Sequence, residues 1–379
     1  MNILFLELNL NPSMGGVERV TYTIGTALEK QGYNVFYAYR YTDESNLPEE
    51  KKLKYSFNFS EEMLHKLLYD FIQTHKIDVI ISQSIWHKHL RSFVRRYKKK
   101  LTFKILYCLH TSPTAYKTEK YKHSFFQIKN CVSKLFFGTD VIAHGMKRIY
   151  ELVDGFVVLS ESFKQEIIKN CHFPSDKKLY AISNPLSFKR QEEALDKEDS
   201  VLIVSRFSET QKNLKSALRI WKRIENAGYG NWQLNIVGYG PDEQELRNYS
   251  KEIGLQRVVF EGKSEDVQSF YEKAKLFMMT SHWEGFGMTL IEAQQMGCVP
   301  MVYDTSTVFC DIISNGENGM IIPFEDEERY AQQMMRLMDD DALRSKLMQR
   351  GMETSSAFNV EYITDYWISL LNKVNGKSL

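Results

Sequence analysis

No apolar run in the chain approaches the ~18 residues that a membrane-spanning helix requires. The longest, such as Phe156–Leu159 and Val299–Tyr303, are the size of strands. Proline is scarce at 8 residues and the 20 glycines follow no period, which excludes collagen-like and low-complexity chains. Five cysteines (Cys108, Cys131, Cys171, Cys298 and Cys310) are odd in number and form no C-x-x-C pair. Neither a disulfide framework nor a zinc site is therefore expected. The amino terminus, MNILFLELNL, lacks the basic flank and cleavage site of a signal peptide and reads as a first strand. The basic residues lack the interleaved aromatics and motif of a nucleic-acid binder, so nucleic acid is not an expected partner. These absences point to a soluble, cytoplasmic protein.

What is present is apolar surface for more than one core. With 379 residues, 43% of them apolar, two domains are expected. A net charge of +1 conceals an asymmetry. Residues 1–187 carry 27 Lys+Arg against 18 Asp+Glu, whereas residues 188–379 carry 22 against 30. Two halves of opposite character suggest two domains with different partners, or simply two solvated surfaces.

The chain alternates strand and helix. ILFLEL leads through a Gly-containing loop into VERVTYTIGTALEKQG, where Val17, Val20, Ile24 and Leu28 recur at helical spacing, and then into NVFYAYR. DVIISQS, FKILYCLH and DGFVVLS continue the series. The pattern lapses over residues 183–200, a charged linker candidate, and restarts with VLIVSRF, WQLNIVG, RVVFEG, KLFMMTS and VPMVYD. Two doubly wound parallel-sheet domains are predicted, and in such sheets ligands lie beyond the carboxyl ends of the strands.

Those strand ends carry the candidate chemistry. Gly15 and Gly16 follow the first strand and precede a helix, as a tight turn or as a place for close approach to an anion. Gly238 and Gly240 imitate a dinucleotide fingerprint, but the third glycine and the following acidic residue are missing, so hydride transfer is rejected. Arg206 ends a strand and Lys212 follows before a helix, a plausible diphosphate clamp. SHWEGFGMTLIEAQQMG carries the strongest signal. Glu284 lies in a loop, Glu292 one turn into the helix, and Gly285 and Gly287 leave amides bare for a sugar or phosphate oxygen. Both carboxylates are expected to line one crevice. Asp339-Asp340-Asp341 reads as a helix cap and His87-x-His89 as surface, so no metal is expected.

The E-x7-E pair Glu284/Glu292, the Arg206/Lys212 pair and the loop GGVERV together resemble glycosyltransferase family 4, over nearly the whole chain and most densely from Val201 to Phe324. The resemblance implies the GT-B fold, two Rossmann-like domains facing a central cleft, and sugar transfer from a nucleotide-sugar with retention at the anomeric carbon. It implies an acceptor-binding domain over 1–187, a donor-binding domain over 188–355, and a terminal segment, 356–379, that crosses back as a helix. By the same resemblance Arg206 and Lys212 hold the donor diphosphate and Glu292 the ribose. Glu284 and the amides of Gly287, Met288 and Thr289 hold the donor sugar, and Gly15 and Gly16 close on the phosphates. Lys263 contacts the nucleobase and His110 lies near the donor sugar. Asn213 departs from the pattern, standing where many relatives place Gly.

The expected partners are therefore a nucleotide-sugar, with EGFGMTLIEA similar to users of UDP-galactose-type donors, and a glycan or lipid-linked acceptor. No cofactor is expected. Arg95, Arg96, Lys98, Lys99 and Lys100 read either as a contact with an anionic membrane, at its inner face, or as a solvated helix end. Two other readings stay open: a sugar-nucleotide-binding partner without turnover, and a GT-B epimerase.

Overall fold

The computed structural model describes residues 1–11, 15–43, 45–55, 59–83, 88–113, 141–171, 173–186, 188 and 197–376. The described residues fall into two units. One comprises residues 1–113, 141–186 and 358–376, and the other residues 188–357.

The first unit is built on a seven-stranded parallel sheet. Its strands are β1 (Asn2–Leu6), β2 (Asn34–Tyr39), β3 (Lys52–Lys54), β4 (Val79–Gln83), β5 (Lys104–Leu109), β6 (Gly155–Val158) and β7 (Leu179–Ala181), in the order β3-β2-β1-β4-β5-β6-β7. Ile3, Leu4, Phe5, Val79, Ile80, Ile81, Ile105 and Leu106 are fully buried. Such continuous apolar runs are what a parallel sheet covered on both faces requires. The helix Gly16–Lys30 buries Val20, Ile24 and Leu28. On it packs the last helix, Val360–Val374, through a stripe of Ile363, Thr364, Trp367, Leu370 and Leu371. The Phe358 carbonyl accepts from the Leu186 amide at 2.7 Å, so the end of the chain belongs to this unit.

One residue of β1's carboxyl end is out of character. Glu7 is buried, takes a hydrogen bond from the Thr21 hydroxyl, and has Glu18 as a charged neighbour. Burial pushes its carboxyl up to about 8.

The second unit has six parallel strands. They are β8 (Glu198–Val204), β9 (Gln233–Val237), β10 (Val258–Gly262), β11 (Ala274–Met279), β12 (Val299–Tyr303) and β13 (Met320–Ile322), in the order β10-β9-β8-β11-β12-β13. Its core gathers Trp221, Tyr303, Tyr330 and the apolar faces of the helices Leu214–Asn226 and Glu327–Asp339. Residues 198–200, which the sequence assigns to the linker, form the start of β8. Glu198 and Asp199 are charged there because that end of the strand is exposed, and Asp199 pairs with Lys275 at 2.5 Å.

In both sheets the order reverses beside the first strand of the unit, at β1/β4 and at β8/β11. The carboxyl ends of β8 and β11 are therefore where a doubly wound sheet opens a crevice.

Candidate active site

β8 ends at Val204, and Ser205, Arg206 and Phe207 leave it as a loop. A short helix, Glu209–Lys212, then turns directly into Leu214–Asn226 through Asn213. Asn213 has φ 52, in the left-handed region where Asn is tolerated far better than a branched residue. The departure from the family's Gly thus leaves the turn intact. From β11, the Thr280 hydroxyl donates to the carbonyls of Lys212 (3.2 Å) and Asn213 (3.0 Å), and the His282 amide to Gln211 at 2.8 Å. These bonds tie the Lys212 turn to the loop that carries Glu284.

The result is an ion pair at the switch point. Lys212 Nζ lies 2.6 Å from Glu284 Oε1, with both side chains largely buried. Removing one member of a buried pair strands the other, typically at about 3–5 kcal/mol. A cavity beneath them is lined by Ser205, Thr280, Ser281, Lys212 and Glu284. Arg206, by contrast, is exposed.

Gly287 has φ 92 and caps the helix Met288–Gln295. The first amides of a helix have no acceptor within it, so those of Met288 and Thr289 belong to the donor set at this end. Glu292, 1% exposed, goes elsewhere: its Oε2 accepts from the Tyr271 hydroxyl at 3.0 Å. The two glutamates thus have different partners, Lys212 for one and Tyr271 for the other. Lys197 ties the start of β11 to the end of the helix Met288–Gln295. Its ammonium donates to the carbonyls of Tyr271 (2.8 Å), Ala274 (2.9 Å) and Met296, beside the Cys298 thiol at 3.7 Å. Burial lowers its pKa. Sequence reasoning missed Tyr271 because its partner lies 21 residues away, and missed Lys197 because it sits in a segment that reads as linker.

Gly238 and Gly240 have a packing role. Gly238 has φ 139, and a Cβ there would sit 1.8 Å from the Ser205 carbonyl oxygen; one at Gly240 would sit 2.2 Å from that of Phe207. The loop after β9 therefore presses backbone against backbone on the loop that carries Arg206. Lys263, after β10, is exposed and places its ammonium 5.4 Å from the centre of the Tyr239 ring.

In the first unit, neither Gly15 nor Gly16 has positive φ. Gly15 is extended at φ −170; a Cβ there would meet only the Glu18 side chain, and one at Gly16 nothing within 4 Å. Backbone geometry and packing among the described residues thus give no reason for either glycine. His110 follows β5, with Nε2 2.6 Å from Gln83 Oε1. Burial lowers its pKa to about 4, so it is a neutral imidazole at pH 7.

Several residues outside this set have plain structural roles. Asp340 caps the helix Asp341–Ser355 by accepting from the Leu343 amide at 2.8 Å, and Asp341 pairs with Arg344. His89 meets Glu61 at 3.2 Å, while His87 lies outside the described residues. Cys108, Cys171 and Cys298 are buried, Cys310 is exposed, and Cys131 lies outside the described residues. Among the described residues no helix is long and apolar enough to cross a membrane. None of their His, Cys, Asp and Glu side chains form a group of three or more able to hold a metal.

Two parallel-sheet α/β units are the architecture of the GT-B class. Residues 187–354 match the family Glycosyl transferases group 1, and residues 14–190 match Glycosyltransferase Family 4. The amylovoran biosynthesis glycosyltransferase AmsD of Erwinia amylovora is 24% identical over 370 residues, covering 94% of this chain and 96% of that protein. The apo lipopolysaccharide outer core galactosyltransferase WaaB matches with a TM-score of 0.69 at 20% identity, over 98% of this chain and 100% of that one. Anabaena HepE in complex with UDP and glucose matches with a TM-score of 0.73 at 16% identity, over 98% and 100%. The chain belongs to the glycosyltransferases of the GT-B fold.

Proposed function

We propose that this glycosyltransferase moves a sugar from a nucleotide-sugar, a UDP-sugar in preference, to a glycan or lipid-linked acceptor in cell-surface polysaccharide or glycolipid synthesis, with retention at the anomeric carbon. The observation that carries the reading is the Lys212–Glu284 pair, 2.6 Å apart at the carboxyl ends of β8 and β11, beside the Gly287-capped helix. The relatives' names support the pathway: amylovoran synthesis for AmsD and the lipopolysaccharide outer core for WaaB. The UDP in the HepE complex supports the donor class.

Breaking the bond between the anomeric carbon and the phosphate oxygen builds negative charge on the departing diphosphate. Arg206 and Lys212 are the cations that compensate it, and fixed charge aimed at developing charge is the largest single source of rate in such sites. Lys212 exchanges its Glu284 oxygen for a phosphate oxygen when donor arrives, which leaves Glu284 for the sugar hydroxyls. Glu292 takes the ribose and Lys263 the base. For Gly15, Gly16 and His110 the assignment to the donor rests on the family resemblance. In this reading the acceptor hydroxyl attacks the face that the diphosphate leaves, and the departing oxygen takes its proton. The reaction uses no metal, because the two side-chain cations neutralise the leaving group.

The test is a panel of nucleotide-sugars, with released nucleotide measured with and without acceptor glycans. Release that depends on one donor and one acceptor, with the product's anomeric configuration retained, is expected. A sugar altered without acceptor indicates an epimerase, and nucleotide binding without turnover a partner protein; either result replaces this reading.

A further inference from the structure

The turn Gly238–Gly240 holds between its glycines a side chain that the scheme above leaves unused. Tyr239 is 46% exposed, although the backbone on both sides of it is among the most constrained in the unit. Ser205 donates to Val237 at 3.0 Å, Phe207 to Tyr239 at 2.8 Å, and Asp242 to Phe207 at 3.3 Å. With the glycine contacts, these bonds clamp the turn to the segment that carries Arg206. A large planar ring is thus held out at a fixed position on a rigid base.

Its place in the sheet is equally defined. β9 lies between β10 and β8, so Tyr239 at the carboxyl end of β9 stands between Lys263 beyond β10 and Arg206 beyond β8. The Lys263 ammonium is 5.4 Å from the ring centre, within cation–π range. A rigid exposed aromatic with a cation over one face leaves its other face as a stacking platform: every nucleobase has a π-face, and the ammonium, on its flexible stem, donates to a base carbonyl or ring nitrogen.

We propose that Tyr239 is the platform on which the donor's nucleobase stacks, with Lys263 as its hydrogen-bonding neighbour. The proposal rests on the nucleotide-sugar reading and extends it to a residue that the resemblance above left without a role. Stacking tolerates different bases, so Tyr239 supplies affinity for a base as such, whereas Lys263 discriminates by the acceptor groups that the base presents.

The full-length protein is titrated in a calorimeter with UDP, ADP and ribose 5-diphosphate, which has the sugar and phosphates but no base. Tyr239→Ala is expected to weaken UDP and ADP about ten- to hundredfold and to leave ribose 5-diphosphate unchanged. Tyr239→Phe, which keeps the ring, should bind UDP within about twofold of the parent. In Tyr239→Trp, UDP should quench the new indole's fluorescence. Equal loss of UDP and ribose 5-diphosphate in Tyr239→Ala means that the side chain only supports the turn, and overturns the proposal. Unchanged UDP binding in Tyr239→Ala, with UDP lost in Arg206→Ala, overturns the platform and leaves the donor reading standing. A parent that binds neither UDP nor ADP overturns both.

Discussion

Arg206 and Lys212 have the same charge and the same proposed ligand, but their surroundings predict different outcomes on removal. Arg206 is exposed, so Arg206→Ala should lower kcat about 10²–10³-fold and leave the melting temperature unchanged. Lys212→Ala should lower kcat similarly and also melt earlier, because it leaves the Glu284 carboxylate buried without its cation. The double change Lys212→Met/Glu284→Gln should recover much of the lost stability and none of the activity. Calorimetric melts alongside steady-state rates separate the two effects; parent-like turnover in both single variants would remove the clamp. Glu292 should fail in another way. A ribose ligand binds ground and transition states about equally, so Glu292→Gln should raise the donor KM and weaken free nucleotide with little change in kcat. Tyr271→Phe keeps the packing and deletes only the hydroxyl on Glu292 Oε2, so it should shift KM in the same direction by a smaller factor. If Glu292→Gln binds nucleotide like the parent, the ribose role is wrong.

At the scale of the element, the glycines after β1 and those after β9 differ in what their backbones meet. Gly238→Ala drives a methyl into the Ser205 carbonyl and forces an L residue to φ 139, and should cost at least about 2 kcal/mol of stability. Gly16→Ala meets nothing and, at a helix start, should leave the stability within about 0.5 kcal/mol of the parent. Any loss of activity in Gly16→Ala is then attributable to ligand approach. The β1 end adds a pH dependence. Glu7 is raised from 4.5 to about 8 by burial, so the folded state holds a proton that the unfolded state releases across that interval. Its contribution to stability is complete below pH 4.5 and is lost as pH rises through 8. Thermal melts from pH 5 to 8.5 should show the parent losing stability relative to Glu7→Gln with rising pH; parallel curves would show that Glu7 is ionised in the fold.

At the scale of the whole molecule, the described residues of the basic first half concentrate charge on the helix Lys88–Leu101. Lys98 is engaged in structure, 2.7 Å from Asp154 and 3.0 Å from the Leu152 carbonyl. Arg95, Arg96, Lys99 and Lys100 remain exposed. With about 1 kcal/mol for each cation near an anionic surface, these four suffice for a salt-sensitive peripheral contact. Phosphatidylglycerol vesicles should co-sediment the protein at low salt, and Lys99→Glu/Lys100→Glu should abolish this, whereas Lys98→Ala should mainly lower the melting temperature. Binding that ignores both lipid charge and salt would refute the membrane contact. Turnover should also survive EDTA if, as proposed, Arg206 and Lys212 meet the diphosphate; a loss restored by Mn²⁺ would contradict the metal-free reading.

The two doubly wound sheets are legible from residue order alone, because a parallel strand buried on both faces must be a continuous apolar run. VLIV, KLFMM and VPMVY announce themselves in this way. The edge strands Lys52–Lys54, Leu179–Ala181 and Met320–Ile322 did not: three residues half-covered at the margin of a sheet carry no period to read. The Arg206, Lys212, Glu284 and Glu292 candidates were legible as residue types at strand ends, where a doubly wound sheet places its ligands. Their pairing was decided only in three dimensions. Lys212 meets Glu284 across 72 residues and Tyr271 meets Glu292 across 21, while Lys197 gathers carbonyls up to 99 residues away. Local sequence encodes burial and backbone conformation through neighbours a few positions apart. Which charge neutralises which depends on the order of strands in the sheet, and that order is set only when β8 and β11 come to lie side by side.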